Sequence, residues 1–324
     1  MGCLTRASGR VEVASDAQTT LDTVNAPRVV REGGTPLRVA WRVLRRYPIL
    51  PAFIVAVLII AAVFAPWLAR HDPLVGKLRD QDRPPIWQES SPISGKEPLW
   101  EYPLGTDPLG RDMLSRIIWG ARYSMLIASV VLISGAVGGT ILGLIAGYFG
   151  GIYDEILMRM VDLTLGVPFI LVALATVVVF GSSMLLIIAL LILFSWSGFA
   201  RQVRAETLRL KASDYVALAV VAGASARRII SKHVLPGVVN TVLVIASLNI
   251  GQLILTEATL SFLGVGIPKP RPAWGSMVAE GRDYIDTSYW MALFPGLAIF
   301  AVVFAMNFLG DWIRDRLDPR LRQL

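Results

Sequence analysis

The chain has 324 residues, 54% of them hydrophobic and 17% charged, with a formal net charge of +7 and a mean hydropathy of +0.59. Soluble domains carry about 25% charged residues, so the composition excludes an ordinary soluble fold. The single cysteine, Cys3, excludes an intramolecular disulfide and any cysteine cluster for a metal.

Residues 1–35 are rich in Ala, Thr, Val, Arg and Gly without periodicity, which predicts a disordered tail. Met1-Gly2-Cys3 is not a lipidation signal: Arg6 stands where myristoylation needs Ser or Thr, and no hydrophobic signal region precedes Cys3. Over 36–48, Trp41 is interleaved with Arg38, Arg42, Arg45 and Arg46, which fits either a helix at headgroup level or a plain anchor for the first span. Charge-free runs then follow at 47–69, 123–153, 163–200, 234–256 and 287–310, each long enough for the roughly 20 residues of a spanning helix. The third is too long for one helix, and Gly181-Ser182-Ser183 divides it by a tight hairpin. The expected fold class is therefore an all-α membrane protein with six transmembrane helices.

The connection 70–115 is dotted with prolines from Pro73 to Pro108 and is expected to be irregular. It ends in Gly105-Thr106-Asp107-Pro108-Leu109-Gly110-Arg111-Asp112, where Asp107 can cap the next turn and the glycines permit positive φ. Two carboxylates there are too few for calcium, which takes six to eight oxygens. In the second run Gly135, Gly139, Gly143, Gly147 and Gly151 recur every four residues. Such a face lets two helices approach closely in lipid. Pro168 predicts a kink early in the third helix.

Residues 201–233 interrupt the apolar pattern with seven Lys/Arg against only Glu206 and Asp214, so this segment lies outside the bilayer. Within it, 213–228 reads as a short helix broken at Gly223. Ser225 begins a second, basic helix, and Leu235-Pro236 starts the fifth span. With the N-terminus inside, the inner segments hold 8, 1, 7 and 4 Lys/Arg and the outer loops 6 and 3. The positive-inside rule therefore predicts both termini in the cytoplasm, and lipid contact rather than nucleic acid accounts for the net charge.

No chemistry of the chain's own is visible. Gly76-Lys77 and Gly95-Lys96 lack the following Ser or Thr of a phosphate loop. His71 and His233 fall on opposite sides of the membrane, and Ser195 and Ser197 have no base nearby, which favours helix packing for both. Charges near the spans are limited to Asp162, Glu257, Arg116 and Arg122, none at a secure midplane.

The 201–236 segment resembles the EAA loop of bacterial ABC importer permeases: Asp214-Tyr215, Gly223 and Leu235-Pro236 match, while Ala217-Leu218-Ala219 stands where the Glu-Ala-Ala triplet would be. More specifically, 36–320 resembles the C-type permease subunit of the dipeptide/oligopeptide/nickel subfamily. The resemblance rests on the 105–112 motif, Gly147-Tyr148-Phe149-Gly150-Gly151 with Asp154 and Met158-Arg159, Leu260-Ser261-Phe262-Leu263-Gly264-Val265-Gly266, Trp274-Gly275-Ser276-Met277, Phe294-Pro295-Gly296 and Asn307-Phe308-Leu309-Gly310-Asp311. It implies a type I importer fold in the bacterial cytoplasmic membrane with a cytoplasmic coupling helix. Its divisions would be a tail at 1–35, the first helix within 36–70, an outer loop at 71–120, a permease core at 121–311 and a tail at 312–324. The implied partners are a homologous permease, two cytoplasmic ATPases that bind ATP and magnesium, and an extracytoplasmic solute-binding protein. This chain itself would hold no cofactor or metal. Asp214, Tyr215, Ala217, Leu218, Ala219, Gly223, Ala224, Leu235 and Pro236 would serve ATPase coupling. Gly105, Asp107, Gly110, Arg111, Asp112, Trp274 and Gly275 would meet the binding protein. The competing readings are a proton-coupled carrier with Asp162 or Glu257 as relay, and a membrane scaffold.

Overall fold

A computed structural model of the chain describes residues 48–317. The tail expected at 1–35, the arginine-rich segment up to Tyr47 and the end from Asp318 lie outside the described residues. The described part is helical, with one isolated bridge between Thr106 and Asp112. Its helices are α1 (Ile49–Val63), α2 (Ala65–Leu68), α3 (Met113–Phe149), α4 (Gly151–Gly166), α5 (Phe169–Phe180), α6 (Met184–Lys211), α7 (Asp214–Val221), α8 (Ala226–Ile229), α9 (Leu235–Phe262), α10 (Trp274–Arg282) and α11 (Trp290–Leu317). A 3-10 turn, Leu78–Asp80, interrupts the long first connection.

Four helices are long and apolar enough to cross a membrane: α3, α6, α8 running through into α9, and α11. The pair α4 and α5 makes a fifth, bent by 81°. With the 15-residue apolar α1, every span expected from the sequence has its helix. The bend falls at Pro168, which caps α5. The hairpin between α5 and α6 turns at Gly181 (φ 78°), and the Ser183 side chain accepts from the Leu186 amide to start α6.

The boundaries differ from the charge-free runs in three places. Helix α3 starts ten residues before Tyr123, because Asp112 accepts from the amides of Leu114 and Ser115 and caps it there. It ends at Phe149, because Gly150 and Gly151 both take positive φ, 66° and 55°. Gly151 is therefore not part of the packing face. It opens α4, with nothing within 4 Å of where a Cβ would be. The stretch 154–159 between the second and third charge-free runs is helical as a result. The fifth span begins at Ala226 rather than Leu235, since α8 passes into α9 through a π turn, Ile230–Val234. Pro236 has no N–H and its ring crowds the carbonyl four residues back. The wider turn, in which the Leu235 amide donates to the Ile230 carbonyl, absorbs that misfit without ending the helix. At the other end of the chain, α11 continues past Asp311 to Leu317.

Helices α3 and α6 form the most extensive pair, and they run parallel. A Cβ at Gly135 would strike Ser195. At Gly139 it would lie 2.5 Å from the Phe199 Cβ and the Trp196 carbonyl, at Gly143 2.6 Å from the Ala200 carbonyl and 2.8 Å from the Val203 Cβ, and at Gly147 2.7 Å from the Thr207 Cβ. Each glycine thus faces a residue 60 positions later, and both helices advance by four residues per contact. Three apolar clusters complete the bundle. One joins α1, α3, α10 and α11 around Trp274 and Trp290. A second joins α3, α5, α6 and the 260–273 segment. The third gathers Leu144, Val203, Leu210, Val216, Ile229, Val234 and Val238 beneath α7.

Candidate functional site

At the end of the bundle where α3 and α6 terminate, the chain turns at Ala212 and Ser213 into α7. Val216 is 1% exposed and, with the partly buried Ala219 and Ala224, seats α7 on Leu210, Ile229 and Val234. The opposite face is apolar yet open: Leu218 is 69% and Val221 86% exposed, with Tyr215 and Val220 also outward. The helix stops in a paired cap, the Gly223 amide donating to the Val220 carbonyl and the Ala224 amide to the Ala219 carbonyl. That motif needs a left-handed residue at its first position, and Gly223 supplies φ 77°. Because α7 rests jointly on the last turn of α6 and the first turns of α8 and α9, moving α7 must move both spans.

Two further ties hold that end together. Arg204 of α6 grips Asp154 of α4 with Nε and Nη2, the latter at 2.6 Å. Lys211 Nζ donates to the Tyr148 carbonyl at 2.7 Å, satisfying an acceptor at the end of α3, and sits 5.4 Å from the Tyr148 ring centroid. Neither tie is visible in the sequence, where the partners stand 50 and 63 residues apart.

At the opposite end, the loop before α3 is irregular but organised by buried polar groups. Asp107 Oδ1 accepts from the amides of Leu109 and Arg111, both at 2.9 Å. Its Oδ2 accepts from Arg111 Nε at 2.6 Å and from Arg116 Nη1. Arg116 Nη2 reaches Glu280 of α10 at 3.0 Å, and Lys269 reaches the same carboxylate at 2.9 Å. Trp274 Nε1 donates to the Ile117 carbonyl at 2.9 Å, and Trp290 Nε1 to the Thr106 carbonyl at 3.1 Å. The loop, α3, α10 and α11 are thereby locked as one plate.

Burial pushes the Glu280 carboxyl up, but the charges and hydrogen bonds of Arg116 and Lys269 outweigh it and hold it below the usual glutamate range. A depressed carboxyl contributes stability that is fully present above its unfolded value, about 4.3, and is lost as pH falls through the folded one. The thermal midpoint of the purified protein is therefore expected to fall on acidification below that value, with a shallower fall in Glu280→Gln. Asp107→Ala should cost more at every pH, about 3–5 kcal/mol, because it leaves Arg111 and the 3% exposed Arg116 to share with Lys269 the single carboxylate of Glu280.

A sequence profile of the family described as "Binding-protein-dependent transport system inner membrane component" matches residues 139–323. The chain belongs to this family. It is 40% identical over 290 residues to the glutathione transport system permease protein GsiD of Pectobacterium atrosepticum, covering 89% of this chain and 92% of the relative. It is 37% identical over 266 residues to the di/tripeptide transport system permease protein DppC of Pseudomonas aeruginosa, covering 82% and 85%. A solved structure of the MetNI methionine ABC transporter in an inward-facing conformation shares the fold, with a TM-score of 0.52 at 19% identity over 64% of this chain and 98% of that one. The protein is thus an ABC importer permease, a multi-pass protein of the bacterial inner membrane.

The permease gathers the residues expected to act in coupling into one place, though unevenly. Asp214, Tyr215, Ala217, Leu218 and Gly223 are exposed, Ala219 and Ala224 face partly inward, and Leu235 and Pro236 lie within a continuous helix. Val216, Arg204 and Lys211 were missed. The seven residues expected to touch a binding protein need correction. Gly105, Asp107, Gly110, Arg111, Asp112, Trp274 and Gly275 are all buried, because their polar groups bond one another and Gly275 packs directly on the Ala258 carbonyl. They lie beneath the exposed residues of that end, which include Val75, Leu78, Trp87, Trp100 and Leu109. The two relay candidates of the carrier reading are far apart. Glu257 is buried against Ser124 and Ser261, whereas Asp162 is exposed and paired with Arg201 near the Gly139–Gly143 level of α3. At 1.5 Å per residue that is roughly 25 Å along α3. Among the described residues no group of three His, Cys, Asp or Glu could hold a metal.

Proposed function

We propose that the permease forms, with a homologous permease, the membrane path of an ATP-driven importer for di- or oligopeptides or a related small solute such as glutathione or a nickel chelate. Both termini and α7 face the cytoplasm, where two separate ATPases bind ATP and magnesium and grip α7. An extracytoplasmic binding protein docks on the plate at the other end. The observation that carries this reading is α7: an apolar face, open at Leu218 and Val221, on a helix seated between two spans. Open apolar patches rimmed by polar residues mark protein contacts. The substrate assignment rests on relatives named for peptide and glutathione transport.

The test is uptake of a labelled tripeptide and of labelled glutathione by proteoliposomes holding the assembled importer. ATP-dependent uptake of either that requires both the binding protein and this chain is expected. Uptake by the chain alone under a proton gradient would instead establish the carrier. Single cysteines placed at Leu218 and at Leu109 in a Cys3→Ser background should label from opposite faces. Labelling of both from one face would overturn the proposed orientation.

A further inference from the structure

Between α1 and α3, toward the end that carries the 70–112 connection, lies an open groove of about 410 Å³. Ile59, Ala62 and Val63 of α1 line one side, and Arg122, Met125, Leu126 and Ser129 of α3 the other. Five of these seven side chains are apolar, and Ile59, Val63 and Leu126 are 44–56% exposed. The other two are Ser129 and a half-buried arginine. Further toward the α3 N-terminus, Arg111 and Arg116 are both neutralised by carboxylates. Arg122 differs: among the described residues no carboxylate lies within 4.0 Å, and its contact is with the Trp119 ring, 5.3 Å from the centroid.

Position decides what such a pair of surfaces would take. Arg122 is the last charged residue before the charge-free stretch that opens at Tyr123. Trp119 and Tyr123 stand one turn apart there, ring centroids 6.3 Å from each other. Aromatic side chains of this kind mark the depth of lipid headgroups. A guanidinium carries a planar fork of donors that matches two phosphate oxygens, and stacking on Trp119 leaves its edge available. Phosphate at that depth belongs to lipid, and the apolar walls run from Arg122 toward the bilayer interior, along Leu126 and back along Ile59.

We propose that this groove is a phospholipid site, in which the headgroup phosphate lies on the Arg122 guanidinium and one acyl chain runs between α1 and α3. The lipid fills the seam between the short first helix and the bundle. It also supplies the counter-charge that Arg122 lacks among the described residues.

The test uses the assembled importer in vesicles of phosphatidylcholine with a minor fraction of phosphatidylglycerol bearing a diazirine midway along one acyl chain. After irradiation, adducts are expected on the peptides containing Ile59–Val63 and Arg122–Leu126. Arg122→Gln should lower their yield about tenfold, as loss of a charge-assisted pair predicts, and excess inorganic phosphate should not compete. Ala62→Phe, which fills the groove and leaves Arg122 in place, should lower it equally, so the test stands even if one variant fails to fold. Unchanged adducts in both variants would overturn the site. So would competition by free phosphate, or a cross-link from a photoreactive residue at Met125 to a second protein chain in place of lipid.

Discussion

Gly139→Leu is expected to abolish recovery of folded permease, and Gly139→Ala to lower its thermal midpoint by several degrees, whereas Gly138→Ala next to it is neutral or slightly stabilising. The two glycines differ only in what they face. A Cβ at Gly139 would meet the Phe199 Cβ and the Trp196 carbonyl at 2.5 Å and the Ala200 amide at 3.0 Å, while one at Gly138 meets nothing within 4 Å. Two of the three obstacles are backbone and cannot rotate away, so α3 and α6 must separate along their length. Overpacking of this kind costs about 1–3 kcal/mol for a methyl, against a net stability of about 5–15 kcal/mol for a typical protein. Leucine adds three more carbons in the same place. Gly138→Ala carries no such cost and gains up to about 1 kcal/mol of helix propensity. Thermal melts of the detergent-solubilised protein read by size-exclusion profile decide the matter. Equal midpoints for the two alanine variants would remove the close contact.

The second large effect concerns transmission rather than folding. Gly223→Val should leave assembly intact, because nothing lies within 4 Å of the added side chain, yet reduce ATP-dependent uptake about tenfold or more. The barrier is conformational: φ 77° is a left-handed setting that a β-branched residue tolerates badly, at a cost of about 1–3 kcal/mol. With the paired cap lost, α7 would fray from Ala219 onward, and Leu218 and Val221 would lose their fixed directions. Gly223→Asn, which accepts the left-handed setting more readily, should keep most of the uptake. Ala217→Glu should change uptake only modestly, since Ala217 is exposed and the shape of α7 is unchanged by it. Uptake and ATP hydrolysis measured in the same proteoliposomes separate the cases. Full uptake with Gly223→Val would show that the cap does not matter, and a many-fold gain with Ala217→Glu would show that the absent acidic group does.

Much of the architecture was legible because lipid imposes simple rules. Charge-free length located the spans, Gly181-Ser182-Ser183 located a hairpin, Pro168 a bend, and the glycine period a contact face. The limits were equally physical. Charge-free runs end where charges begin, but α3 ends where its φ angles change sign, at Gly150 and Gly151, and begins where Asp112 caps it. The π turn at Ile230–Val234 could not be seen, because proline in a first turn and proline behind a widened turn look alike in sequence. The register that sets Gly139 against Phe199 and the pairing of Arg204 with Asp154 are long-range facts with no local signal. The 105–112 motif misled for a related reason. Polar residues in a loop read as surface, whereas here Asp107, Arg111 and Asp112 spend their polarity on one another and on the start of α3.

The parallel course of α3 and α6 carries an electrostatic consequence. Antiparallel neighbours cancel their macrodipoles; parallel ones bring two like ends together, each equivalent to about half an elementary charge. The carboxyl ends of α3 and α6, both partly negative, therefore meet beside α7. Lys211, bonded to the Tyr148 carbonyl and itself in the last turn of α6, brings a positive charge to both ends, whereas Arg204 and Arg209 are paired with Asp154 and Glu206. The glycine face that allows two helices to touch thus also creates a seam of negative potential, and Lys211 offsets it from within the chain.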